Sequence, residues 1–204
     1  MQATRVQSIE PYRDPVGGPW NARAALAVPM TRAPIGMQPT EYIRVKWAQE
    51  DYGHSSRIAV SAVHDGEQFA VHLEWEAPAQ DERDAVAVAL PVRGKPYLVT
   101  MGDPEQPIHF LHWIAGCEGL RSTVATGIGT TRPGPEFRRS AQALWQDGHW
   151  QVVLVRPLGA GGGVAPLAAG RPAQIAFAVW QGANAERAGL KAFSINWKDM
   201  ALDA

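Results

Sequence analysis

Cysteine is almost missing from this chain: Cys117 is the only one among 204 residues. That excludes an internal disulfide framework, a four-cysteine iron–sulfur cluster, a cysteine-rich zinc site and the C-x-x-C-H attachment of a c-type haem. Lysine is scarce too. Of the 19 basic residues only Lys46, Lys95, Lys191 and Lys198 are lysines, and the others are arginine. No charge of one sign dominates, since 19 basic residues face 20 acidic ones, so no basic field points to nucleic acid and no charged tail to a membrane surface. No apolar run approaches the ~20 residues of a membrane-spanning helix. The opening MQATRVQSIEPYRDP lacks the charged-then-apolar layout of a secretory signal. Signatures of catalysis are also absent: there is no G-x-S-x-G elbow, no H-E-x-x-H, no P-loop and no G-x-G-x-x-G between a strand and a helix.

What is present is the composition of a folded domain, 46% hydrophobic and 19% charged. Two alternating runs flank Asp65-Gly66, with Val71, Leu73 and Trp75 on one face and His72, Glu74 and Glu76 on the other, which predicts a half-buried hairpin. Asp147-Gly148 separates a second such pair, whose later run carries Trp150, Val152, Leu154 and Arg156 at alternate positions. Further strands are predicted at 84–92, 107–115, 173–182 and 191–202, and no window shows a convincing helical stripe. The expected fold is mostly β: an antiparallel β-sandwich with long loops and a few short helices. The connections 119–137 and 157–172 are long enough to be binding or docking loops. Six prolines in the first 39 residues (Pro11, Pro15, Pro19, Pro29, Pro34 and Pro39) predict an extended arm over about 1–40, and the chain 1–204 reads as one domain.

Residue by residue, the bland assignments dominate. Gly159 to Gly163 lacks the Lys-Ser/Thr of a phosphate loop and reads as a flexible connection. His109 and His112, three apart on a strand, point to opposite faces and do not share a metal. His54, His64, His72 and His149 have no role assigned. Trp75, Trp150 and Trp180 fall in apolar runs and read as core, although the eight tryptophans would also suit a sugar-stacking platform, so a carbohydrate-binding module stands as the alternative function.

An ordered set of elements nevertheless resembles a known family. These are VHLEWEAP, DAVAVALPV, PYLVTMGDPEQPIHFLHWIAG, DGHWQVVLVRPL and IAFAVWQGANAERAGLKAFSINW. Together they are similar to the haem b-binding γ subunits of the ethylbenzene dehydrogenase and dimethyl sulfide dehydrogenase group, in complexes of the dimethyl sulfoxide reductase superfamily. The resemblance covers about residues 40–200. It implies a b-type haem at one end of a sandwich with a methionine and a lysine as axial ligands: Met101, from the Met-Gly-Asp element, and Lys191, before Ala-Phe-Ser-Ile-Asn-Trp, with Lys198 as fallback. It implies a non-catalytic electron-transfer subunit rather than an enzyme. The implied partners are a molybdopterin-containing α subunit, an iron–sulfur β subunit and a soluble cytochrome c-type acceptor. The implied location is the periplasm, reached alongside an α subunit with a twin-arginine signal. If 191–202 is one regular strand, the odd separation of the two lysines puts them on opposite faces, and the apolar company of Lys191 (Phe193, Ile195) favours it over Lys198.

Overall fold

The structure is a computed structural model that describes residues 1–204, the side chains of residues 160 and 161 excepted. Sixteen strands follow in chain order: β1 (Gln2–Arg5), β2 (Leu26–Pro29), β3 (Thr31–Arg32), β4 (Arg57–His64), β5 (Gln68–Glu76), β6 (Ala85–Pro91), β7 (Ile108–Ile114), β8 (Arg121–Ala125), β9 (Arg132–Pro133), β10 (Ser140–Gln146), β11 (His149–Pro157), β12 (Gly159–Gly161), β13 (Val164–Leu167), β14 (Pro172–Trp180), β15 (Ala192–Phe193) and β16 (Lys198–Leu202). The helical content is small, the longest piece being α2 (Glu41–Lys46), capped by the Thr40 hydroxyl; α1 (Gly18–Asn21) is a single turn. Among the described residues no helix is long and apolar enough to cross a membrane.

Two layers form the expected sandwich. The first runs β10-β11-β5-β4-β1-β16, and the second β14-β6-β7-β8-β9. β14 is the corner between them: Pro172 to Ile175 pair with β16, and Ala176 to Trp180 pair with β6. Both predicted hairpins form. At the second, Asp147 (φ 52°) and Gly148 (φ 78°) are both left-handed, the two-residue turn whose twist matches the strands. At the first, the Asp65 carboxylate accepts from the backbone N–H groups of Glu67 and Gln68 and holds the turn from inside.

The inward faces follow strict alternation. Val71, Leu73 and Trp75 of β5 and Val152 and Leu154 of β11 meet Val86, Val88 and Leu90 of β6 and Leu111 and Trp113 of β7. At its centre Trp113 reaches across the layers to Trp150 and Trp75, with ring centroids 4.9 and 6.3 Å apart. The outer face of the first layer is closed by the N-terminal segment, where Ile9 and Trp20 cover Val63, Ala70, Val153 and Val155. The outer face of the second layer is different, and the candidate site lies there.

Three expectations are corrected. The stretch 191–202 is two short strands with a break between them: Ala192 and Phe193 pair with the second-layer half of β14, whereas Lys198 lies opposite Ile175 in the first layer. The cause is the corner in β14, whose last neighbour must change layer as β14 does. Ser194 is the last residue bonded to Phe177, and Ile195 turns out to solvent. The parity argument between the two lysines therefore does not apply. The connection 119–137 carries β8 and β9, and 157–172 carries the β12–β13 ribbon. The loop reading of Gly159 to Gly163 gives way to that ribbon at Gly159–Gly161, with the side chains of residues 160 and 161 outside the described residues.

Candidate functional site

Alternation on the second layer puts large side chains inward and small ones outward. Ala85, Ala87 and Ala89 of β6 and Ala176 and Ala178 of β14 all point away from the core. Alanine rises barely above the pleat, so a flat apolar floor is left where larger residues would fill the space. Over this floor lies a cavity of about 290 Å³, close to the lower end of the ~300–1,000 Å³ usual for small-molecule sites. Ala87, Phe110, His112, Thr123 and Trp180 contribute to the floor from four adjacent strands. The walls are loops: residues 33–39 of the N-terminal segment, 98–101, 128–131 and 188–191.

Met101 and Lys191 both line this one cavity, although they arrive from loops far apart in sequence. Met101 sits at φ 58°, a left-handed conformation that costs a non-glycine residue on the order of 1–3 kcal/mol. The turn around it has the hydrogen bonds of a helix-ending glycine motif: Met101 N–H donates to Leu98 O and Gly102 N–H to Tyr97 O, both at 3.0 Å. The Met101 carbonyl also accepts from Gly127 N–H at 3.1 Å, which ties the turn to the 128–131 wall. A methionine thus occupies a position where glycine would be at ease.

Lys191 is half-buried, and no carboxylate lies within ion-pair distance of it among the described residues. Its ammonium nitrogen stands 5.3 Å from the centre of the Trp180 ring. Burial pushes its proton affinity down, to a pKa of about 8. His112 packs on the same indole, centroids 4.9 Å apart, and its Nε2 is buried with no hydrogen-bond partner. Desolvation first, then the Arg121 and Lys191 charges, push its pKa down to about 4, so it is neutral at pH 7.

Lys198 does not line the cavity. His109 points inward as alternation requires, fully buried, its Nε2 3.0 Å from Ser122 Oγ, and so on the opposite face from His112. Trp75, Trp150 and Trp180 are all buried, as expected; Trp75 and Trp150 lie between the layers, whereas Trp180 packs in the outward row of β14 and also lines the cleft. The role of Trp180 and the alanine floor were missed by sequence reasoning. Their signal was the alternation in DAVAVAL and IAFAVW, where one face of each strand is alanine until the tryptophan. Among the described residues no group of three or more His, Cys, Asp or Glu side chains could hold a metal ion.

Fold and site together define a β-sandwich with a loop-walled cleft on one outer face. Solved structures share the fold. A carbohydrate-binding module of family 9 from Caldicellulosiruptor kristjanssonii, in complex with glucose, superposes over 100% of this chain and 96% of its own with a TM-score of 0.54 at 11% identity. A Bacteroides uniformis protein assigned to carbohydrate binding gives 0.59 at 9% identity, over 100% and 98% of the two chains. In sequence, the family described as ethylbenzene dehydrogenase matches residues 132–192. Chlorate reductase subunit gamma of Ideonella dechloratans is 37% identical over 159 residues, 76% of this chain and 57% of that protein. A Haloferax mediterranei protein assigned as the heme subunit of a respiratory nitrate reductase is 28% identical over 89% of this chain and 66% of its own length. Dimethylsulfide dehydrogenase subunit gamma of Rhodovulum sulfidophilum is 28% identical over 83% and 69%. The chain thus spans roughly 57% to 69% of the length of these relatives. The resemblance to the γ subunits of the ethylbenzene dehydrogenase and dimethyl sulfide dehydrogenase group is shown by this set.

Proposed function

We propose that this chain is a non-catalytic electron-transfer subunit whose alanine-floored cleft holds a b-type haem, and that Met101 and Lys191 are the residues that would ligate its iron. The observation that carries the reading is the convergence of these two donors, from separate loops, on one apolar cavity. The residues suit the group. Methionine sulfur is a soft, neutral donor that favours ferrous haem and raises its potential. An amine ligates only without its proton, and Lys191 has neither a carboxylate to keep it charged nor the solvation to do so cheaply. The strained turn at Met101 is of the kind that persists where function demands it. Bound haem would supply a one-electron site. The protein would supply the flat floor, the two donors and the loop walls that keep water away.

On this reading the chain works in the periplasm, beside a molybdopterin-containing α subunit and an iron–sulfur β subunit. It relays electrons between their clusters and an external acceptor such as cytochrome c. The names of the relatives support a subunit of a reductase or dehydrogenase and, for one of them, haem. A sugar platform needs an open aromatic face, and Trp180, the tryptophan that lines the cleft, is almost fully buried.

The test is the purified complex examined by optical and electron paramagnetic resonance spectroscopy. We expect a low-spin b-type haem in the wild type, loss of the low-spin state in Met101→Ala and Lys191→Ala, and no change in Lys198→Ala. A complex without a Soret band, or one in which only Lys198→Ala changes the spectrum, rejects the assignment.

A further inference from the structure

Lys191 is the last residue of a loop held at scattered points: its own carbonyl accepts from Ala33 N–H at 2.9 Å, Gln38 Nε2 donates to Gly189 O at 3.0 Å, and the Glu186 carboxylate accepts from the N–H groups of Gly53, His54 and Gln181. The loop leaves β14 at Trp180 and returns at β15, with a single turn at Gly182–Asn184. Two of its residues, Ala185 at φ 57° and Ala188 at φ 51°, lie in the left-handed region without being glycine. Such positions persist only when their surroundings over-determine them. At Ala188 the surrounding is Trp180: its indole Nε1–H donates to the Ala188 carbonyl at 3.0 Å. The face of the same indole lies beneath the Lys191 ammonium at 5.3 Å. The ring cannot swing away, because the His112 ring packs on it and Trp180 is itself almost fully buried at the outer end of β14. One side chain thus touches the loop three residues before Lys191 and the tip of Lys191 as well.

We infer that Trp180 is the positioning residue for Lys191: its N–H holds the strained loop in place and its ring face sets where the amine stands over the cleft floor. The ring face and the N–H can be separated by mutation. Trp180→Phe keeps a face and loses the donor; Trp180→Leu loses both.

This inference rests on the haem reading, and measurements without and with haem tell the two apart. In the haem-free chain, hydrogen exchange at the Leu190 amide, which donates to Arg187 O at 2.9 Å, should rise about tenfold in both variants, the effect of losing one hydrogen bond nearby, while the strands of the first layer keep their protection. In the haem-loaded complex, added imidazole competes with the amine for the iron. It should bind Trp180→Leu about tenfold more tightly than wild type, and Trp180→Phe by less than that, since an aromatic face remains. Wild-type exchange at the Leu190 amide together with wild-type imidazole affinity in Trp180→Leu overturns the inference. If Lys191→Ala leaves the haem spectrum unchanged, the ligand assignment falls, and the exchange rates still decide whether Trp180 holds the loop. Should Trp180→Leu fail to fold by circular dichroism, the exchange of Trp180→Phe decides alone.

Discussion

At the scale of single residues, the most informative feature is a conformation rather than a contact. Met101 pays for its left-handed backbone with conformational strain that a glycine at the same place would avoid. The comparison that isolates this is between two substitutions that both remove the thioether. Met101→Gly should be more stable than Met101→Ala by roughly 1 kcal/mol in the haem-free chain, because alanine keeps the Cβ penalty and glycine does not. Urea unfolding midpoints at equal slope measure it. Equal stabilities would mean that the turn carries no strain, and the argument from strain to function at Met101 would go with it. The position was named from sequence through the Met-Gly-Asp element, but its φ could not be, since nothing in a Thr-Met-Gly-Asp string says which residue takes the left-handed place that Gly102, also at positive φ, shares.

At the scale of elements, the outward row of β6 decides whether the cleft exists. Ala87 lies on its floor, while Val86 and Val88 beside it fill the core. Ala87→Leu projects a larger side chain into the cleft and leaves the inward packing untouched, so stability should change by less than about 1 kcal/mol while haem uptake is lost. Differential scanning fluorimetry and the ratio of Soret to protein absorbance check the two halves. An unchanged Soret ratio would mean that the floor is not where the cofactor lies. Strands and hairpins were legible because their alternation and their Asp-Gly turns are local signals. The last stretch was not, because Ala192–Phe193 and Lys198–Leu202 take their layers from the corner in β14, a non-local cause that strand periodicity does not record. The burial of Trp180 was legible, but its place at the cleft was not, because only the sheet arrangement says which side its row faces.

For the whole molecule, buried histidines make folding depend on pH. His109 is completely enclosed between the layers, and desolvation, with the Arg156 and Arg139 charges adding to it, pushes its pKa down to about 4. His72, under the N-terminal segment, is also lowered: desolvation outweighs the hydrogen bond from its Nε2 to the Pro15 carbonyl at 3.0 Å. In both, the unfolded chain takes up its proton near the ordinary histidine value of about 6.5 and the folded chain only at lower pH. The unfolded state therefore binds more protons between those values. Stability is full above about pH 6.5 and falls as the pH drops toward 4, with His109 contributing on the order of 3 kcal/mol at most. Carboxylates held below their usual range, such as Asp81 beside Arg83 at about 2, act only at still lower pH. The histidine window therefore stands apart from ordinary acid unfolding. Urea midpoints of the haem-free chain at pH 7, 5.5 and 4.5 should fall steadily in the wild type. His109→Gln removes the titrating group and leaves an amide that can face Ser122, so its midpoint should start lower at pH 7 and fall less over the same range. Parallel profiles for the two proteins would show that His109 takes up its proton equally well folded and unfolded, and the pH dependence would have to come from His72 and the other buried groups.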